Sequence, residues 1–198
     1  MLNVLFKAIL YSRITNSEQP MNLKPQDVLV LLKLVAIGHQ TWTYNRLALE
    51  LCMSPSEVHS AIKRALAANL AYQERGSIVP NTRNLEEFLV HGLRYVFVPE
   101  RGQMCRGMLT AHAGPPLAKH FVPDGEPPPV WPCAQGEDRG MAFSPLYKSA
   151  PEAAGRDPLL YEWLVLVDAI RGGRARERDW AIREIHKRVK RYDKSPEP

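Results

Sequence analysis

The stretch from Leu47 to Leu70, LALELCMSPSEVHSAIKRALAANL, constrains this chain more than any other. Ser54 is a preferred N-cap, Pro55 takes the first helical position, where its missing N–H is harmless, and Glu57 completes a Ser-x-x-Glu capping box. A helix therefore starts at Pro55 and is expected to run to Asn69. Val58, Ala61, Ile62, Ala65 and Leu66 fall at i, i+3, i+4, i+7 and i+8, the stripe of a helix with one buried face. At about 100° per residue, Ser56, Ser60, Lys63, Arg64 and Ala67 project from the opposite side. The Ala/Leu-rich segment before Cys52 reads as a second helix, so two helices meet across a tight turn.

The flanks carry the same kind of signal. Lys24-Pro25 opens a helix whose apolar residues, Val28 to Ile37, surround most of its circumference, and Gly38 stops it. Thr41-Trp42-Thr43 reads as a short strand, with Trp42 sealing the bundle, before the helix from about Tyr44 to Cys52. Residues 71–80 read as two short strands around Gly76, with Arg75 at the tip. Asn84 is expected to cap a fourth helix carrying Leu85, Phe88, Leu89 and Leu93, and Arg94–Val98 reads as a strand.

Residues 21–98 resemble the winged helix-turn-helix domain of bacterial transcriptional regulators of the broad MarR/ArsR-like type. The resemblance is carried by LKPQDVLVLLKLVAIG, TYNRLALEL, MSPSEVHSAIKRALAANL and AYQERGSIVP, and covers roughly 40% of the chain. It implies a fold that is mainly α with a small β-wing, and a recognition helix, Pro55–Asn69, entering the major groove of double-stranded DNA. Ser54, Ser56, His59, Ser60, Lys63 and Arg64 would then meet bases and phosphates, with Arg75 on the flanking backbone. The wing departs from a typical regulator in having a single Arg and no Lys. A repressor acting as a homodimer is implied, because one helix reads few base pairs and a second half-site multiplies affinity. The alternative is a winged-helix interaction module, such as an antitoxin or an adaptor for an operon partner.

The rest of the chain differs in character. Ten of the 17 prolines lie between Pro99 and Pro151, so 99–155 is expected to be an irregular segment. Its large apolar residues, among them Met104, Phe121, Trp131 and Phe143, should hold it against the core. Residues 156–198 read as a helical hairpin around Gly172-Gly173, its first helix starting at Asp157-Pro158 and apolar enough to need a partner, in the winged domain or a second subunit. The net charge of +5 is compatible with nucleic acid but decides little, whereas its distribution says more. From Arg171 to Lys194 there are ten Lys/Arg against four acids. That last helix is a solvated face with ion pairs such as Arg174 and Arg178 with Glu177 and Asp179, a phosphate-contacting surface, or a site for a protein partner.

Other function classes find little support. Cys105, His112, His120 and Cys133 lack the close pairs of structural zinc sites. No phosphate-cradling loop, nucleophile elbow or paired-acid constellation occurs, so no metal, cofactor or catalytic residue is expected. Three cysteines without close spacing argue against a disulfide framework and for the cytoplasm. No stretch reaches the roughly 18–20 apolar residues of a membrane span, and the first twenty residues lack the cleavage site of an export signal. Residues 1–20 read either as an extension upstream of Met21 or as an amphipathic arm using Leu2, Leu5, Phe6, Ile9 and Leu10.

Overall fold

A computed structural model describes residues 22–122, 125–134 and 136–194; the N-terminal extension or arm lies outside the described residues. Among the described residues three helices come first: α1 (Pro25–Ile37), α2 (Tyr44–Leu51) and α3 (Pro55–Ala67). A hairpin of β1 (Ala71–Glu74) and β2 (Ser77–Pro80) follows, then α4, built from Thr82–Glu87, a π-helical turn Phe88–Gly92, and Leu93–Val96. Three strands, β3 (Arg101–Leu109), β4 (Pro129–Pro132) and β5 (Asp138–Phe143), precede α5 (Ala150–Arg156), α6 (Pro158–Gly172) and α7 (Ala175–Lys194). The described chain is mostly helical, with a small three-strand sheet and a C-terminal helix pair.

Two helices lie inside. Every residue of α1 from Asp27 to Val35 is buried, as is every residue of α6 from Trp163 to Arg171, and the two pack together. Helices apolar around their circumference have no face to give to water, so each is wrapped by other elements. The partner that α6 requires is therefore within the chain: α1, α7 and the strand region. Gly38, with φ of 66°, ends α1 in the left-handed region. Asp157 caps α6, its Oδ1 accepting the Leu159 and Leu160 N–H groups at 2.9 and 3.1 Å. Lys33 of α1, nearly buried, meets Glu50 of α2 at 2.6 Å and Asp157 at 2.7 Å, so one ammonium ties three elements.

Residues 99–155 correct the expectation of an irregular segment. β3 pairs antiparallel with both β4 and β5, and β4 runs parallel to β5, so each of the three strands pairs with the other two. Its prolines and glycines allow this closure. Pro129 and Pro132 stand at the ends of β4, where strands tolerate proline. A Cβ on Gly107 would run into the Trp131 carbonyl, and one on Gly140 into the Pro128 carbonyl. Punctuation residues that read locally as loop are the ones that let three backbones meet closely.

Trp131 and Phe143, both fully buried, carry this unit onto α6. Beneath them Asp168 is completely buried and accepts from Thr110 Oγ1 at 2.8 Å, from Arg171 Nη1 at 2.6 Å and from the Trp131 indole N–H. Arg171 also donates to the carbonyls of Phe97 and Ser144, at 2.8 and 3.2 Å. Burial pushes the Asp168 carboxyl up, against the pull of Arg171 and the two neutral donors.

Several boundaries also differ from expectation. Thr41–Thr43 pairs with no described strand, and the residues expected as a strand at 94–98 continue α4 as helix to Val96. Asn81, not Asn84, caps α4, its Oδ1 accepting the Asn84 N–H at 3.2 Å. α3 ends at Ala67, two residues earlier than its propensity suggested.

Candidate nucleic-acid interface

The turn between α2 and α3 is set locally. Cys52, with φ of 53°, ends α2 in the left-handed conformation, and the Met53 N–H returns to the Ala48 carbonyl at 2.9 Å. The expected capping box is present: the Ser54 hydroxyl accepts the Glu57 N–H at 3.2 Å, and Glu57 Oε2 accepts the Ser54 N–H at 2.8 Å. The Ser54 hydroxyl also donates to Glu57 Oε2 at 2.8 Å. These bonds, with one from Tyr147, pull the Glu57 carboxyl down to about 2.

Val58, Ala61, Ile62 and Ala65 of α3 are buried, and Leu66 is partly so. Ser54, Ser56, His59, Ser60 and Lys63 are exposed. His59 lies against the Tyr44 ring at 5.3 Å between centroids, and Tyr44 meets Trp42 edge-on at 5.3 Å, so a row of rings runs from the α1–α2 turn to the exposed face of α3. Trp42 is half-buried against the core, beside a groove of about 510 Å³ between that turn and the hairpin. Arg75 stands exposed at the hairpin tip, where both Arg75 and Gly76 have positive φ, as a primed two-residue turn requires.

Arg64 is the departure. Its Nε and Nη2 donate to the two carboxylate oxygens of Asp27 at 2.8 and 2.6 Å. Asp27 is fully buried, and the Arg64 side chain is only 11% exposed. Hydrogen bonding to Asp27 holds the guanidinium above its ordinary range. The six-residue set expected on α3 and its cap thus loses its strongest cation. That residue lies at the margin of the buried stripe, and its long side chain reaches inward to a buried acid on α1 rather than outward.

A neighbour that local patterns do not reveal lies at the start of α3. The Tyr147 hydroxyl donates to Glu57 Oε1 at 2.9 Å across 90 residues, which brings the exposed Lys148 alongside. α5 then packs on α2, with Arg156 Nη1 donating to the Leu49 carbonyl at 2.9 Å.

Part of the charge of the basic helix α7 and of the residue before it is paired, though not with the partners expected. Arg174 meets Glu126, Arg178 donates to the Gly173 carbonyl, and Arg188 bridges Glu162 and Glu184. Glu177 instead accepts the Arg174 backbone N–H at 2.8 Å and faces His112 at 3.3 Å. His120 stacks on Trp180 at 3.9 Å, and Cys105 and Cys133 are free thiols. Among the described residues no group of three or more His, Cys, Asp or Glu could hold a metal ion, and no helix is long and apolar enough to cross a membrane. No family model, curated protein or solved structure matches the chain.

Proposed function

We propose that the protein is a sequence-specific DNA-binding transcriptional regulator of winged helix-turn-helix type, reading the major groove with α3. The observation that carries this reading is the division of α3. Val58, Ala61, Ile62 and Ala65 are held inside, while Ser54, Ser56, His59, Ser60 and Lys63 share an exposed, hydroxylic and cationic face after a tight inter-helical turn. Short hydroxyls suit either bases or phosphates, and His59, braced by Tyr44, can donate to a base edge. Lys63 supplies charge to the backbone, and Arg75 does the same from the hairpin. Arg64 supports the helix from behind by its bond to Asp27 and is not among the DNA contacts. A homodimer acting as a repressor belongs to this reading, because one helix covers too few base pairs for specific affinity.

Selection of duplexes from a random library by the protein itself tests the reading. Enrichment of a motif with two half-sites about one helical turn apart is expected, and a library that stays random after selection refutes it. A protein-interaction module is the second reading, favoured by the exposed apolar residues Tyr95, Val96 and Val98 around the end of α4.

A further inference from the structure

We infer that Lys148 is a third point of contact with the DNA backbone, beside the α3 face and the hairpin tip, and that Tyr147 is the residue that positions it. This inference rests on the DNA-binding reading above.

The segment between β5 and α5 is anchored along its length. The Ser144 N–H donates to the Glu100 carbonyl at 2.9 Å, and the Ala150 N–H donates to the Tyr147 carbonyl at 2.9 Å. Leu146, Ser149 and Ala150 are buried, while Lys148 between them is exposed. A run that buries the residues around one lysine and turns that lysine to solvent is not a slack loop. One bond ties it to the reading helix, Tyr147 to Glu57 on the first turn of α3, and the helix that follows is held on α2 by Arg156 donating to the carbonyl of Leu49.

The chemistry of the contact follows from charge. Glu57 is the acid of the α3 helix and would repel a phosphate approaching its first turn. Both of its oxygens accept hydrogen bonds, Oε1 from Tyr147 and Oε2 from Ser54, and Lys148 acts on it as a nearby opposite charge. The Lys148 ammonium lies 5.8 Å from the centre of the Tyr147 ring, so the residue that hydrogen-bonds the Glu57 carboxylate also carries the lysine. Lys148 is a long, solvated point charge, suited to a phosphate rather than to a base. It adds a cation from outside the helical and hairpin elements to a face whose own helix, with Arg64 turned inward, offers Lys63.

Salt-dependent anisotropy on the library-enriched duplex and on an unrelated duplex tests this. Each phosphate contact contributes about 0.9 to the slope of log K against log salt. Lys148→Ala is expected to lower that slope by about 1 on both duplexes and to weaken binding about five- to tenfold near 0.1 M salt, leaving sequence preference and unfolding midpoint unchanged. Lys148→Arg is expected to keep the slope. Tyr147→Phe is expected to weaken binding in the native background and to add nothing in the Lys148→Ala background. If Lys63→Ala lowers the slope and Lys148→Ala does not, the inference is overturned while the DNA reading stands; fully additive losses from Tyr147→Phe and Lys148→Ala overturn the positioning role. Absence of salt-sensitive binding by the native protein overturns both.

Discussion

Arg64→Ala separates a structural arginine from a DNA-contacting one. The change removes two donors, 2.8 and 2.6 Å from a carboxylate that has no exposed surface. With the guanidinium side chain only 11% exposed, the pair is a buried one, little screened by solvent. Stripping one partner from a buried pair costs about 3–5 kcal/mol, whereas an exposed pair contributes about 0–1 kcal/mol. Asp27 keeps one bond, from the Lys24 N–H at 2.8 Å, which puts the cost near the lower end, about 3 kcal/mol. For a chain of this size that corresponds to a fall in Tm of about 6–12 °C. The control is the double variant Asp27→Leu with Arg64→Ala. It removes the orphaned charge and should recover part of the loss, short of about 1 kcal/mol for the missing cap on α1. Urea unfolding with unchanged m measures both. An Arg64→Ala protein within about 0.5 kcal/mol of the native one, or a double variant no more stable than the single, would refute the reasoning.

Two further outcomes follow from the interior. Burial pushes the phenols of Tyr161 and Tyr192 up to about 12, and the Tyr161 hydroxyl donates to the Leu109 carbonyl at 2.6 Å. Folding favours their neutral form, so the stability they contribute is complete below pH about 10 and is lost as pH rises through about 12. An ultraviolet titration should find two of the seven tyrosines ionising last, after Tyr147, which burial and Glu57 also push up, and loss of that last phase in Tyr161→Phe with Tyr192→Phe checks the assignment. In the three-strand unit, Gly140→Ala drives a methyl into the Pro128 carbonyl and should cost about 1–3 kcal/mol by urea unfolding; a neutral result would mean that the strands can spread.

The C-terminal part bears on α3 and the helices around it. Lys33 joins α1 to Glu50 of α2 and to the cap of α6, and Tyr147 joins the approach to α5 to the first turn of α3. α7 returns to the N-terminal elements, with Thr82 donating to Asp193 at 2.9 Å and the His39 and Tyr192 rings 4.6 Å apart. Part of the positive charge concentrated in this stretch is engaged, Arg174 with Glu126, Lys187 with Glu184 and Arg188 with Glu162 and Glu184, while Arg176, Arg183, Lys187, Lys190, Arg191 and Lys194 stay exposed, so the helix is both a brace and a cationic surface.

The sequence by itself determined the elements whose signals fit within one or two helical turns. The start of α3 at Pro55, its capping box and its buried stripe, the mostly buried α1 ended by Gly38, and the Asp157 cap of α6 were all legible there. Only the tertiary structure decided which polar side chains face solvent and which face a partner. Arg64 and Asp27 are 37 residues apart, Asp168 and Trp131 are 37 apart, and Glu57 and Tyr147 are 90 apart, separations that no helical or strand period encodes. The three strands of 101–143 were hidden for a related reason. Their pairing depends on close backbone approach at Gly107 and Gly140, and a glycine that permits a contact reads, in one dimension, like a glycine that ends an element.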